Sequence, residues 1–258
     1  MIKENIFPND LYQMIFKRSS FHIFTGKGGR PLNENDINGI YRAYDTFFPL
    51  FKDIKTSIRV VPEQDTTCRR GADCRILIYS EKKDGYLQNI GYLGEQLDLY
   101  LASKDIGTLW FGIGKPDKED HDGLEYVIMI AVSKINDDGK FRKDMFKSKR
   151  KDTDEIWRGE TIGGVTNIVR FAPSACNSQP WTVTNDGKIL FVYRYKKEGK
   201  RGIMPKDKVS FYNRIDIGIF QLFMDICLES KRIKYTKQLF TDDDADRETV
   251  LNAIYNLQ

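Results

Sequence analysis

The sequence predicts an α+β fold in which a sheet core is wrapped by helices and one structural plan is used twice. Three observations predict it. Short runs rich in β-branched residues, 75–79, 126–132 and 188–193, alternate with apolar segments at helical spacing. Two of those segments, 91–103 and 217–230, overlay at an offset of 127, pairing Gly91 with Gly218, Asp98 with Asp225, Leu101 with Leu228, Ser103 with Ser230, Lys104 with Lys231 and Ile106 with Ile233. Upstream, Ile78-Tyr79 and Lys82-Lys83 match Val192-Tyr193 and Lys196-Lys197 at an offset of 114, so the second copy has a longer loop before its helix. Chance likeness of two helices rich in common residues competes with this reading, and the shared element order weighs against it. The expected halves are residues 1–150 and 151–258, related by a pseudo-twofold axis as the subunits of a homodimer are, with the cleft between them as the natural ligand site.

In chain order, Leu11, Met14 and Ile15 predict a helix over 10–17 behind a cap at Asn9 or Asp10. Asn33 precedes a second helix carrying Ile37, Ile40, Tyr41 and Tyr44. The stretch 106–112 reads as a glycine-bounded turn, and the continuous apolar run 126–132 as a strand buried on both faces. Residues 140–151 hold seven lysines or arginines against one acid, which reads first as a solvated connector. A helix is expected over 163–171. Asp242, Asp243, Asp244 and Asp246 read as a solvated loop capping a helix that begins near Arg247, in preference to a cation site.

Composition narrows the function classes. A chain of 258 residues, 40% hydrophobic and 12% aromatic, can build a full core. Its excess of four positive charges, 41 against 37, is too small for a nucleic-acid footprint. Cys68, Cys74, Cys176 and Cys227 form no C-x-x-C pair, so reduced thiols without a metal are expected, with Cys176 a small buried space-filler. No run of 18 apolar residues occurs and the N-terminus lacks a signal-peptide core, which reads as a cytoplasmic protein without membrane attachment. Having only His22 and His121, and no G-x-S-x-G, weighs against a hydrolase triad; Gly26 to Arg30 lacks the order of a phosphate loop.

The most informative segment is RFAPSACNSQPW over residues 170–181, read as rigid and extended. Pro173 and Pro180 fix the backbone, Ser174, Asn177, Ser178 and Gln179 offer donors and acceptors, and small Ala175 lets a flat ligand approach. A helix-terminating loop with Trp181 in the core is the plainer reading. Through Ala172, Pro173, Ser174, Asn177, Gln179, Pro180 and Trp181, the segment resembles the APS-x-x-N-x-QPW signature of the nitroreductase family of FMN proteins. Arg18-Ser-Ser-Phe-His-Ile-Phe24 is similar to that family's R-x-S-x-basic-x-aromatic mark, with His22 where lysine or arginine is usual. Residues 102–112 are similar to its flavin-flanking helix and glycine turn. The order of these segments departs from ordinary members and looks like a fused, two-halved branch, in which one chain supplies what two subunits usually share.

The resemblance implies a nitroreductase-like fold and one FMN per chain. Arg18, Ser19, Ser20 and His22 would hold the phosphate, joined by Lys149 and Arg150 from the basic run. Gly112 would give its N–H to flavin N5, with Leu109 and Trp110 as apolar neighbours. Pro173, Ser174, Ala175, Asn177 and Gln179 would line the ring. NAD(P)H would be the electron donor and a nitroaromatic or quinone the small-molecule acceptor, with no catalytic side chain required. The fused chain is expected to act as a pseudo-dimeric monomer, without forbidding a homodimer. A flavin-binding or sensing module without turnover, or a relative specialised for dehalogenation, azoline oxidation or flavin breakdown, is the alternative.

Overall fold

The computed structural model describes residues 9–24, 30–195, 205–242 and 247–258. Helices α1 (Asn9–Lys17) and α2 (Glu34–Tyr44) form where the apolar spacing places them. Asn33 starts α2 with a capping box: its side chain accepts the Asp36 N–H at 2.9 Å, and the Asp36 carboxylate accepts the Asn33 N–H at 3.0 Å. The chain continues through β1 (Thr56–Val61), β2 (Cys74–Ser80), α3 (Tyr86–Ser103), β3 (Ile106–Phe111), β4 (Asp120–His121) and β5 (Leu124–Lys134). It then forms α4 (Thr153–Ile156), β6 (Trp157–Gly159), α5 (Thr166–Val169), β7 (Trp181–Asn185), β8 (Ile189–Tyr195), α6 (Val209–Ser230), β9 (Tyr235–Leu239) and β10 (Thr249–Leu257).

The strands form two five-stranded sheets, one ordered β1-β2-β5-β3 with β4 beside β5, the other ordered β6-β7-β8-β10-β9. Apart from β4 and β6, both follow one plan. Two antiparallel neighbours precede a long helix, an edge strand follows it, and the last strand inserts between the second and the edge strand. The turns leaving α3 and α6 match as well: Asp105 and Arg232 both adopt a left-handed φ of 57°. The repeat in sequence is therefore a repeat of topology.

Two compact units contain these elements. The first comprises Gln13–Tyr86 and Leu93–Met145; the second comprises the described part of Met1–Tyr12, Leu87–Tyr92 and Phe146–Gln258. In the first, Ile76, Leu77, Ile78, Met129, Ile130 and Ala131 are fully buried on the inner strands β2 and β5, which explains their unbroken apolar runs. In the second, β7 and β8 alternate buried and half-buried residues, the period of a strand with one covered face. Trp181 is fully buried there and stacks on Phe220 with ring centroids 4.9 Å apart, as the plainer reading of that residue had it.

Within the second unit, α6 crosses the Leu87–Tyr92 turn of α3 at backbone contact. A Cβ added to Gly91 would lie 2.0 Å from the Ile215 carbonyl oxygen, and one added to Gly218 would lie 2.0 Å from the Gln88 carbonyl oxygen. Ile215 follows Gln88 by the same offset of 127 that separates the glycines, so the contact is reciprocal, as in an isologous interface. Only a residue without Cβ permits this approach.

Several expectations are corrected. Residues 106–111 form β3, not a turn; Gly107 is there because a Cβ would press on Phe21 and Ile135 at 2.8 and 2.9 Å. The helix over 163–171 shrinks to the single turn of α5. No helix begins near Arg247, because residues 249–257 pair antiparallel with β8 and β9 as the strand β10. Asp242 is not solvated: it is buried against Arg194, while residues 243–246, the Lys196-Lys197 pair and Gly26 to Gly29 lie outside the described residues. The connector 140–151 is anchored, with Phe141 and Met145 buried and Phe141 edge-on to Phe21 at 5.4 Å. Among the described residues no helix is long and apolar enough to cross a membrane.

The crossing makes a prediction. Gly91→Ala and Gly218→Ala should each lower unfolding free energy by at least about 2 kcal/mol through overpacking against backbone, measured by urea denaturation. Gly163→Ala, whose Cβ meets nothing within 4 Å, should stay within about 0.5 kcal/mol of the parent.

Candidate functional site

The residues singled out in sequence fall into two clusters, one in each unit. In the second unit, the segment after α5 is not extended. It turns through a short 3-10 stretch, Ala175–Asn177, and three non-glycine residues, Cys176, Asn177 and Gln179, take left-handed φ values of 50°, 54° and 49°. Such backbone persists only where its surroundings over-determine it.

Those surroundings are specific. Arg150 Nη1 donates to Asn177 Oδ1 at 2.8 Å, and Asn177 Nδ2 donates to the Lys149 carbonyl at 3.2 Å. The Lys151 N–H donates to Gln179 Oε1 at 2.8 Å, and Lys151 Nζ to the Gln179 carbonyl at 3.0 Å. The Gln179 N–H returns to Ser174 Oγ at 3.0 Å. The structure thus brings Lys149 and Arg150 to Asn177 and Gln179. Pro173, Ser174 and Ala175 are half-buried, Asn177 is exposed and Gln179 is buried. Cys176 is exposed, contrary to the expected buried thiol, because the left-handed turn carries it outward.

Beneath the turn sits Asp216 of α6, which the sequence reading missed. Its Oδ1 accepts the Ala175 N–H at 2.9 Å and its Oδ2 accepts the Ser178 hydroxyl at 3.2 Å. Burial pushes its carboxyl up to about 7, against the opposing effect of those two hydrogen bonds. The available signal was an acid between Ile215 and Ile217 in an otherwise apolar helical run.

In the first unit, the arginine-serine segment runs beside the edge strand. Ser20 bridges Thr108 in parallel, and the Phe21 N–H donates to the Thr108 carbonyl at 2.9 Å, placing the segment beside β3, the strand that carries Leu109 and Trp110 and ends just before Gly112. Ser19 is half-buried, and Ser20 and His22 are exposed. Arg18 is buried, its Nε 3.1 Å from Asp98 Oδ2 and 3.6 Å from Glu95 Oε1. Asp98 also accepts from Thr108 Oγ1 at 2.6 Å and from Trp110 Nε1 at 3.0 Å. Burial opposes the Arg18 charge, but Asp98 and Glu95 outweigh it and hold the guanidinium protonated. Burial and then the neighbouring Asp98 push Glu95 well above the carboxylate range, with Arg18 pulling it back. Arg18 Nη2 is buried without a hydrogen-bond partner among the described residues, so this arginine keeps a donor that Asp98 does not use.

Asp98 has a counterpart in the second unit. Asp225 accepts from Tyr92 Oη at 2.6 Å and pairs with Lys237, which follows Trp110 by the same 127 residues. Each long helix therefore uses one buried aspartate to hold the strand after it. The sequence carried this signal as a matched pair without showing its purpose.

The family model described as "Putative TM nitroreductase" matches residues 10–227. A solved structure of a "putative nitroreductase" from Thermotoga maritima MSB8 is similar in fold, with a TM-score of 0.61 at 18% identity, covering 96% of this chain and 94% of that one. A nitroreductase family protein from Clostridium difficile 630 aligns at a TM-score of 0.44 and 11% identity, covering 56% of this chain and 95% of its own. One from Clostridium novyi NT aligns at 0.36 and 14%, covering 52% and 88%. No curated protein matches the chain significantly.

Removing Asp98 strands a buried arginine. Asp98→Ala should cost about 3–5 kcal/mol of stability, at the lower end because Glu95 remains beside Arg18; a thermal melt within one degree of the parent would refute that role.

Proposed function

The chain belongs to the "Putative TM nitroreductase" family, and from that premise we propose that it is an FMN-dependent oxidoreductase passing electrons from NAD(P)H to an electron-poor acceptor such as a nitroaromatic or quinone. The observation that carries this reading is the strained turn at Cys176–Gln179, held from outside by Lys149 to Lys151 and from below by Asp216. Strain of this kind at an exposed, amide-bearing loop is characteristic of a ligand site.

The residues fit the cofactor in charge and shape. Arg18 retains a buried donor at Nη2, and Ser19, Ser20 and His22 add hydroxyls and an imidazole beside it, a set that suits a phosphate dianion. Lys149 and Arg150 supply positive charge in the second unit. Asn177 and Gln179 carry amides that both donate and accept, as the edge of a flavin ring requires. Pro173, Ser174 and Ala175 are small enough for a flat ring to approach. In the first unit, Leu109, Trp110 and the Gly112 backbone would suit an apolar, N–H-bearing contact with a flavin. When bound, FMN supplies the hydride and electron-transfer chemistry. The protein's share is orientation and electrostatics, so no side-chain nucleophile is called for.

The purified protein should be yellow, with close to one FMN per chain and NAD(P)H oxidation that depends on a nitroaromatic. Asn177→Ala, at an exposed position, should leave the fold intact and weaken FMN binding about tenfold. Arg18→Ala should lose FMN together with some stability. A colourless protein that FMN does not reconstitute overturns the proposal; a yellow protein inert to NAD(P)H leaves flavin binding without turnover.

A further inference from the structure

The proposed FMN site depends on a turn that Lys149 to Lys151 hold from outside and Asp216 holds from below. Of the three left-handed residues only Asn177 is of a type that tolerates that conformation; none is glycine, and Cys176 and Gln179 are unusual occupants of it. The two bonds from Asp216 flank two of the three left-handed residues, Cys176 and Asn177, with Oδ1 at Ala175 on one side and Oδ2 at Ser178 on the other. The Ser178 hydroxyl also lies 3.4 Å from Asn213 Oδ1, one helical turn before Asp216. We propose that Asp216 is the positioning residue of this turn: its carboxylate clamps Ala175 and Ser178 and thereby presents Asn177 and Gln179 to the cofactor. The inference rests on the flavin reading for its purpose, but the clamp itself can be measured without flavin.

Stability alone does not account for this carboxylate. It is buried, no charged side chain among the described residues acts on it, and the groups facing it are the Ala175 N–H and Ser178 hydroxyl of the turn and Asn213 of its own helix. Burial, and secondarily the Cys176 thiol, raise the Tyr212 phenol of the same helix. With its folded pKa raised from 3.8 to about 7, the stability given by the neutral form is complete below the unfolded value and is lost as pH rises through about 7. Ionised, Asp216 costs stability yet accepts from both clamp donors. Protonated, it has one acceptor oxygen fewer and the clamp loosens.

The test compares wild type with Asp216→Asn, Asp216→Ala and Ser178→Ala. Two readouts are used: FMN dissociation constants at several pH values, and deuterium exchange of the Ala175 amide in the FMN-free protein. Asp216→Ala should weaken FMN binding about tenfold and speed Ala175 exchange by a similar factor. Asp216→Asn still offers Ala175 an acceptor and should restore slow Ala175 exchange but, lacking the second acceptor oxygen, only part of the FMN affinity at alkaline pH. The wild-type to Asp216→Asn affinity ratio, in which the titration of the FMN phosphate cancels, should fall severalfold as pH drops through about 7. The asparagine variant should also melt higher than wild type on the alkaline side. Ser178→Ala removes one arm of the clamp from the turn and carries the test if Asp216→Ala does not fold. Unchanged exchange and unchanged FMN affinity in the folded variants overturn the clamp. Weaker binding with a flat affinity ratio overturns its pH dependence. Failure of wild type to bind FMN, with exchange still accelerated in the variants, overturns the flavin reading and leaves the clamp supported.

Discussion

Where α3 and α6 meet, two carbonyl oxygens occupy the places in which side chains would stand, and much of the structure depends on that contact. Gly91 and Gly218 let the Leu87–Tyr92 turn and α6 meet at backbone contact, since a Cβ at either would strike the other's carbonyl oxygen. Seven residues, or two turns, beyond each glycine comes an aspartate. Asp98 and Asp225 therefore arrive at equivalent heights on their helices and meet the strands that follow, β3 through Thr108 and Trp110, β9 through Lys237. The matching left-handed turns at Asp105 and Arg232 then bring those strands back along their sheets. A close helix crossing, a buried acid and a tight turn form one linked device, used twice.

The turn at Cys176–Gln179 is built on the opposite principle. The repeated frame lowers its energy through burial, whereas this segment holds three non-glycine residues in backbone that costs of order 1–3 kcal/mol at each. It stays in place because amides, lysine and arginine groups and one carboxylate surround it on several sides. A loop so heavily restrained would be wasteful as a mere connection between α5 and β7. Its restraint is intelligible if the exposed side chain at Asn177 must be held still while something binds.

The frame was legible in sequence where local patterning decides structure. The unbroken apolar runs of β2 and β5, the cap at Asn33 and the matched helices all carry signals spanning a few residues. Legibility failed where a distant partner decides. Residues 106–111 look like a turn because of their flanking glycines, yet Gly107 is small to admit Phe21 and the strand is fixed by pairing with β5. Asp242 looks solvated among its acidic neighbours, and Arg194, 48 residues away, with Asn252 and Gln88, explains its burial. In the candidate site, the residues at 173–179 and the basic run were readable from composition and resemblance. Their mutual hydrogen bonds, the engagement of Arg18 by Asp98 and the presence of Asp216 were not, because no local spacing encodes a contact across 27, 80 or 41 residues.

The two copies agree in topology and differ in chemistry, and the differences fall at single positions within the shared frame. Trp110 and Lys237 occupy one place: the tryptophan donates through its indole, and the lysine neutralises its aspartate outright. Glu95 stands where the other helix has Leu222, so one copy buries a second acid beside Asp98 and needs Arg18 to offset it. Asn89 stands where the other helix has Asp216, both buried, one neutral and one ionisable. The carboxylate occurs in the copy that carries the strained turn, and the copy without such a turn has the amide. A duplicated frame that fixes backbone positions so tightly lets each copy change one side chain at a time without disturbing the crossing. That is how one half could come to hold an arginine among acids and the other an asparagine-glutamine turn on an aspartate, with neither losing its fold.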